Sequence, residues 1–188
     1  VVINALPEGD PVQKVSIISR GMMGGFTRSL PTEDRSLESR KKLMAEMVGL
    51  LGGRAAEEIM FDDITSGASS DIERVTKLAR TMVTRLGMSD KLGPMVYGQK
   101  EELVFLGREI SEQRDYSEAV AQEIDREVQR AVTEAYQSAK KILETHKDKL
   151  IAVAEKLLEV ETITNEEFEA IFPPPVEKNQ GIPVIAGA

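Results

Sequence analysis

Several residue types that build catalytic sites are rare or missing in this sequence. It has no cysteine and no tryptophan, and its single histidine is His146. Without cysteine the chain can form no disulfide, thiolate zinc site, iron–sulfur cluster or cysteine nucleophile. With one histidine it cannot build, from its own residues, a metal site that needs two or three imidazoles. Any Ser-His-Asp triad would have to use His146.

Positive charge, aromatic rings and long apolar runs are also scarce. The chain has 24 Lys and Arg against 32 Asp and Glu, a formal net charge of −8, and aromatic residues make up 4% of it. A nucleic-acid surface needs clustered cations or stacking rings, so we expect no nucleic-acid partner. The longest weakly charged stretch, residues 43–53, contains Glu46. Because a spanning helix needs about 20 apolar residues, we expect none in this sequence.

Apolar residues recur at helical spacing over most of the chain, which predicts a mainly α fold. Near the N-terminus, β-branched residues alternate around a glycine-rich connection, which predicts a small β-hairpin or edge sheet. Capping boxes at Ser70 and Thr164 mark two helix starts, and Gly87 marks a helix end. The predicted elements are strands at 12–18 and 26–30, helices at 36–61, 70–86, 117–142 and 150–158, a short helix through 168 and 171, and two candidate strands, 95–97 and 103–106, within a long connection at 89–114.

The first residues have the pattern of the last turn of an apolar helix. Residues 1–6 are almost all apolar and are followed by Pro7, yet no capping residue precedes them and the first residue is not Met. We therefore expect a piece of a longer protein, with a terminus made by processing as the alternative.

The loop at 62–69 is the strongest local candidate for a site, because its small and polar residues deliver the carboxylate of Asp71 to a helix start. An aspartate there also has an ordinary structural role, since it interacts favourably with the helix dipole. Glu57 and Glu58 cannot form a dyad on one helix face, because successive side chains point about 100° apart. One of them could support a site while the other faces solvent.

Two further features have ordinary interpretations. His146 stands between two predicted helices with no metal-type residue at a useful spacing, so we expect a surface residue rather than a ligand. The glycines at 21–25 lack the following Lys and Ser/Thr of a phosphate loop. They fit either a sheet edge that admits another extended backbone or an ordinary hairpin.

Several blocks in the same order resemble one family: the peptidase domain of FtsH-type, membrane-anchored, ATP-dependent zinc metalloproteases. The resemblance extends from residue 1 to about 172. The blocks are Asp10-Pro11-Val12 with Lys14-Val15 and Ile17-Ile18, Leu51-Gly52-Gly53-Arg54-Ala55-Ala56-Glu57-Glu58, Thr65-Ser66-Gly67-Ala68, Asp71-Ile72-Glu73-Arg74, Lys91-Leu92-Gly93-Pro94 and Val104-Phe105-Leu106-Gly107-Arg108.

The resemblance implies a zinc site with two histidines of a His-Glu-x-x-His helix and one carboxylate, for which the matching residue is Asp71. It implies a supporting role for Glu57 and a substrate-aligning strand edge made by Gly24, Gly25, Phe26, Thr27 and Arg28. The family's histidine motif would stand immediately before residue 1 and does not occur in this sequence. We therefore expect this chain alone to be inactive, with the general-base Glu also outside it.

The resemblance further implies ATP bound by a separate upstream module, a homo-hexamer, and unfolded or tagged polypeptides, membrane proteins among them, as substrates. It implies anchoring at the cytoplasmic side of a bacterial inner membrane or an equivalent organelle membrane. The expected organisation is a zinc-peptidase lobe at 1–114, a C-terminal antiparallel helical lobe of the same domain at 115–172 and a mobile tail at 173–188.

Two other functions remain open from the sequence. The chain could belong to a relative that lost the histidine motif and acts as a non-catalytic chaperone or assembly subunit. It could also be a helical interaction module that binds a partner without metal.

Overall fold

The computed structural model describes residues 1–18, 25–29, 37–98 and 115–175. These residues form a mainly α fold with a small antiparallel sheet, which confirms the predicted fold class. The helices are α1 (Val2–Ala5), α2 (Arg40–Leu50), α3 (Gly52–Phe61), α4 (Ser69–Thr84), α5 (Glu118–Thr145), α6 (Lys147–Val160) and α7 (Asn165–Ile171), and the strands are β1 (Val12–Ser16), β2 (Phe26–Ser29) and β3 (Thr162–Thr164).

The larger hydrophobic core lies between α2, α3, α4 and α5. Small side chains let these helices approach closely: Ala55, Ala79, Ala135 and Ala139 are each 0% exposed. Around them pack larger residues, among them Leu43, Met47, Val75, Met82, Ile124 and Leu143. This core fixes the relative positions of α3 and α4, which carry the candidate site residues.

A smaller core joins the sheet to the last helices. It contains Val12, Val153, Leu157, Ile163, Phe168 and Phe172. The strand order is β2-β1-β3, with both pairings antiparallel, so β2 lies at one edge among the described strands. The Cα of Ser16 pairs with that of Phe26 on one side and that of Thr162 on the other.

The predicted helix at 36–61 is wrong in two respects. The described residues before Arg40 are not helical, since Ser39 is the N-cap, and the chain forms two helices with a turn at Leu51. Leu51 has ψ of −5°, well away from the helical value near −42°. Side chains of α1 approach both sides of this turn: a Cβ on Gly49 would lie 3.0 Å from Ile3 Cδ1, and one on Gly52 would lie 3.0 Å from Val2 Cγ2. The close approach is therefore made by side chains of α1 at Gly49 and Gly52, whereas Gly53 has nothing within 4 Å.

Two further expectations differ from the structure, and one element was not expected. Ser70 does not cap α4, because a short 3₁₀ helix, Ser66–Ala68, runs directly into α4 at Ser69. Residues 95–97 form no strand, since the Tyr97 N–H donates instead to the Thr84 carbonyl at the end of α4. Strand β3 was not predicted; it follows α6 after a single residue, Glu161, in the left-handed conformation.

Other local predictions are confirmed. Thr164 and Glu167 form the predicted capping box of α7. The helix predicted from residue 117 is present as α5, and its N-cap Ser117 accepts from the Val120 N–H. Gly87 has φ +59° beyond the end of α4, as expected of a terminating glycine. The candidate strand at 103–106 and most of the predicted tail lie outside the described residues. In the part of the chain that is described, none of the helices is long and apolar enough to cross a membrane.

The carboxylate of Glu127 is buried in α5 and links the segment after α4 to that helix. Glu127 is 2% exposed, and it accepts hydrogen bonds from Ser89 Oγ at 2.7 Å and from Arg130 Nε at 3.0 Å. The Arg130 guanidinium, helped by Ser89, lowers the pKa of Glu127 despite its burial. The carboxylate therefore stabilises the fold in its ionised form.

We predict that Glu127→Gln destabilises the chain by about 1–3 kcal/mol at neutral pH, because buried hydrogen bonds to a charged group are lost. A lowered folded pKa contributes stability above the unfolded pKa of about 4.3, and this is lost as the pH falls. The difference from wild type in urea unfolding should therefore shrink towards pH 3. Glu134→Gln, at the exposed partner of the same arginine, should have little effect. Equal losses from the two variants would contradict this assignment.

Candidate active site

Asp71 lies in the first turn of α4. It is partly buried, and Val75, one turn further along the same face, is 0% exposed. The carboxylate therefore stands at the rim of the larger core, on the side of α4 that packs against the other helices. The loop at 62–65 and the 3₁₀ helix that follows it determine where α4 begins.

Glu57 of α3 holds this loop. Its Oε2 accepts from the Thr65 N–H at 3.0 Å, and its Oε1 accepts from Thr65 Oγ1 at 2.8 Å. Thr65 Oγ1 in turn accepts from the Gly67 N–H at 3.1 Å, capping the 3₁₀ helix before α4. The backbone and side-chain hydrogen bonds from Thr65 lower the pKa of Glu57. Glu57 thus acts as an ionised acceptor that ties α3 to the segment leading to Asp71.

Glu58 points elsewhere, as the helical spacing predicts. Its Oε1 accepts from Lys140 Nζ at 2.7 Å, and its Oε2 accepts from the Tyr136 hydroxyl. The hydrogen bonds from Lys140 and then Tyr136 lower the pKa of Glu58, while that of Lys140 is raised by the same bond. Neighbouring carboxylates of α3 therefore fix two different parts of the structure, the loop before α4 and helix α5.

The described residues of this chain do not by themselves fit a zinc ion. No group of three or more His, Cys, Asp or Glu side chains among them could hold a metal. His146 lies at the junction of α5 and α6, and its ring contacts that of Phe172 with centroids 4.8 Å apart. Its side chain is partly exposed. Asp71 could therefore serve only as one ligand of a set completed by groups outside the described residues.

The expected substrate edge falls on β2. Thr27 and Arg28 are exposed, while Gly25 precedes the strand. A Cβ on Gly25 would lie 2.8 Å from the Ser16 carbonyl oxygen, so β1 and the start of β2 approach closely only because this residue is glycine. Gly24 lies outside the described residues.

A cavity of about 100 Å³ between α2, α4 and α5 contains none of these residues. Arg40 and Arg130 line it, but Arg40 is paired with Asp90 through two bonds of 2.8 and 3.0 Å, and Arg130 is paired with Glu127. Its polar lining is thus already satisfied by the protein.

Sequence reasoning missed the partners of the two glutamates. Thr65 belongs to a recognised block, but nothing in a spacing of eight residues across a helix end indicates its bonds to Glu57. Tyr136 and Lys140 are four apart and so share a face of α5, which is a usable signal, but their partner in α3 could be found only in three dimensions.

The model of peptidase family M41 matches residues 1–171. The chain belongs to this family. It is 54% identical over 175 residues to the ATP-dependent zinc metalloprotease FtsH 1 of Thermomicrobium roseum, covering 93% of this chain and 27% of that protein. It is 52% identical to a protein of the same name from Sphaerobacter thermophilus, covering 96% and 28%. The ATP-dependent zinc metalloprotease FtsH of Thermotoga maritima is 49% identical, covering 95% and 29%.

These matches confirm the resemblance found in the sequence. The chain spans between a quarter and a third of the length of these relatives. The matches therefore show its family and do not by themselves assign it the activity of the whole relatives.

We predict that Glu57→Gln loosens the loop before α4, because the amide can accept only at one of its two positions. Hydrogen exchange of the Thr65 and Gly67 amides should accelerate. In the wild-type chain, the Thr65 and Gly67 amides should be protected from exchange above the unfolded pKa of glutamate, about 4.3. This protection should decline as the pH falls, since the pKa of Glu57 is lowered in the folded chain.

The matched control is the neighbouring Glu58→Gln, which removes a carboxylate from the same helix but leaves Thr65 its partner. Acceleration at Thr65 and Gly67 in both variants would mean that α3 as a whole, rather than the Glu57 bond, holds the loop.

Proposed function

We propose that this chain is the peptidase portion of an ATP-dependent zinc metalloendopeptidase that degrades unfolded or tagged polypeptides, membrane proteins among them. The observation that carries the proposal is the match to peptidase family M41 over residues 1–171. Its three cited relatives, about half identical to it, are all named as ATP-dependent zinc metalloproteases.

In this proposal Asp71 supplies the carboxylate oxygen of the zinc site. Two imidazoles and a general-base Glu come from a His-Glu-x-x-His helix that continues into α1. The packing supports this placement, because Val2 of α1 and Val75 of α4 belong to the same core. Carboxylate oxygen is an ordinary zinc ligand beside two imidazoles.

Glu57 is proposed as a positioning residue rather than a ligand. Both of its oxygens accept bonds from Thr65, which leaves it directed at the loop. By holding this loop, Glu57 would fix where α4 starts and so where the Asp71 carboxylate stands.

The strand edge at residues 24–28 is proposed to bind an extended substrate. Support comes from the position of β2 at the edge of the described sheet and from the exposure of Thr27 and Arg28. Backbone groups on such an edge can pair with an added strand, and side-chain pockets then set preference.

The remaining parts of the proposal concern the longer protein. ATP would be bound by a separate module, the assembly would be a homo-hexamer, and anchoring segments would hold it at the cytoplasmic side of the bacterial inner membrane or an equivalent organelle membrane. Within the present chain we propose a peptidase lobe at 1–114, a helical lobe at 115–172 and a tail at 173–188.

The ligand assignment can be tested by adding a helical His-Glu-x-x-His segment before residue 1. We expect the extended chain to bind about one zinc per chain, measured by elemental analysis after dialysis, and Asp71→Asn to lose most of it. Asp63→Asn, in the loop before α4, is the matched control and should keep its zinc.

Full zinc occupancy in the Asp71→Asn chain would contradict the assignment. The parent gene could instead encode no histidines in the helix that continues into α1. That result would favour a non-catalytic subunit of the same family.

A further inference from the structure

Helix α1 is held between the two hydrophobic cores. Val2 is 6% exposed and belongs to the larger core, whereas Ile3 and Ala5 pack against the smaller one. Two glycines leave room for these side chains: a Cβ on Gly49 would lie 3.0 Å from Ile3 Cδ1, and one on Gly52 would lie 3.0 Å from Val2 Cγ2. The position of α1 therefore depends on both cores at once.

A polar contact on the other side joins α1 to the last described helix. Asn4 is 1% exposed, and its Nδ2 donates to the Phe172 carbonyl at 2.9 Å, across 168 residues of sequence. A buried amide needs such a partner, because an unpaired buried donor costs free energy. This bond sets both the distance and the orientation of α1 relative to the end of α7.

Phe172 itself is fixed by two further groups. Its side chain is 7% exposed within the smaller core, and its ring meets that of His146 at the junction of α5 and α6. One residue thus connects three segments: α1 through its carbonyl, the α5–α6 junction through its ring, and the sheet through the smaller core.

We propose that Asn4 and Phe172 are positioning residues for α1, so that the C-terminal segment sets the placement of this helix. This positioning of α1 follows from the contacts of the present chain. Its consequence for metal binding rests on the proposed function, in which the histidine-bearing helix continues into α1. On that basis the end of α7 would support the helix that carries the two imidazoles.

The test is amide hydrogen exchange of α1 in the present chain. The Asn4 and Ala5 amides donate to the Val1 carbonyl, both at 3.1 Å, and report on α1. In Asn4→Ala these amides should exchange about tenfold faster or more, as expected of a local opening that has become easier.

Asn165→Ala is the matched control. Asn165 Nδ2 also donates to a backbone carbonyl, that of Val12, at 2.7 Å, and ties the same α7 to β1 rather than to α1. The control should leave the α1 amides within about twofold of wild type. Unchanged exchange of the α1 amides in Asn4→Ala, or equal acceleration in both variants, would contradict the positioning of α1 by Asn4 and Phe172.

A measurement on the wild-type chain covers the case in which Asn4→Ala fails to fold. Under mild denaturant, the α1 amides should open together with the Phe172 amide, which donates to the Phe168 carbonyl at 2.9 Å. Opening of α1 at much lower denaturant than Phe172 would also overturn the proposal.

The consequence for metal binding is tested in the chain extended by a His-Glu-x-x-His helix. Asn4→Ala should weaken zinc binding about tenfold or more, the usual effect of losing support behind a ligand, and Asn165→Ala should not. If the extended wild-type chain binds no zinc, the proposed function fails. The exchange experiment in the present chain still tests whether Asn4 and Phe172 position α1. If it binds zinc and Asn4→Ala binds equally well, the positioning role is contradicted.

Discussion

The point at which α4 begins in the candidate site depends on one hydrogen-bonded contact, that between the Glu57 carboxylate and Thr65. The contact uses both carboxylate oxygens and ends in a cap on the 3₁₀ helix before α4. Because α3 is itself fixed in the larger core through Ala55, the contact transmits the position of α3 to the start of α4. The place of the Asp71 carboxylate follows from where that helix starts.

Ionised carboxylates also link separate segments elsewhere in the molecule. Glu58 joins α3 to α5, and Glu127 joins α5 to Ser89 after α4. In each case donors from the protein lower the pKa of the carboxylate. We therefore expect each of these contacts to weaken as the pH falls through the lowered pKa of its carboxylate.

Much of the fold could be predicted from the sequence, because helical spacing and capping residues are local signals. The capping box at Thr164 and the terminating Gly87 are examples. The turn at Leu51 could not be, since it reflects the approach of Val2 to Gly52, and neither could β3, whose pairing with β1 joins residues far apart in sequence. For the candidate site, Asp71 and Glu57 emerged from the family blocks, but Thr65 as the partner of Glu57 required the structure.

In the zinc site that we propose, Asp71 and not Glu57 supplies the carboxylate. The most direct measurement is an anomalous difference map, at the zinc edge, from crystals of the full-length protein with zinc. We predict a peak about 2.0–2.2 Å from a carboxylate oxygen of Asp71, with Glu57 still bound to Thr65. A peak at Glu57, or zinc bound with Asp71 directed away from it, would contradict the account.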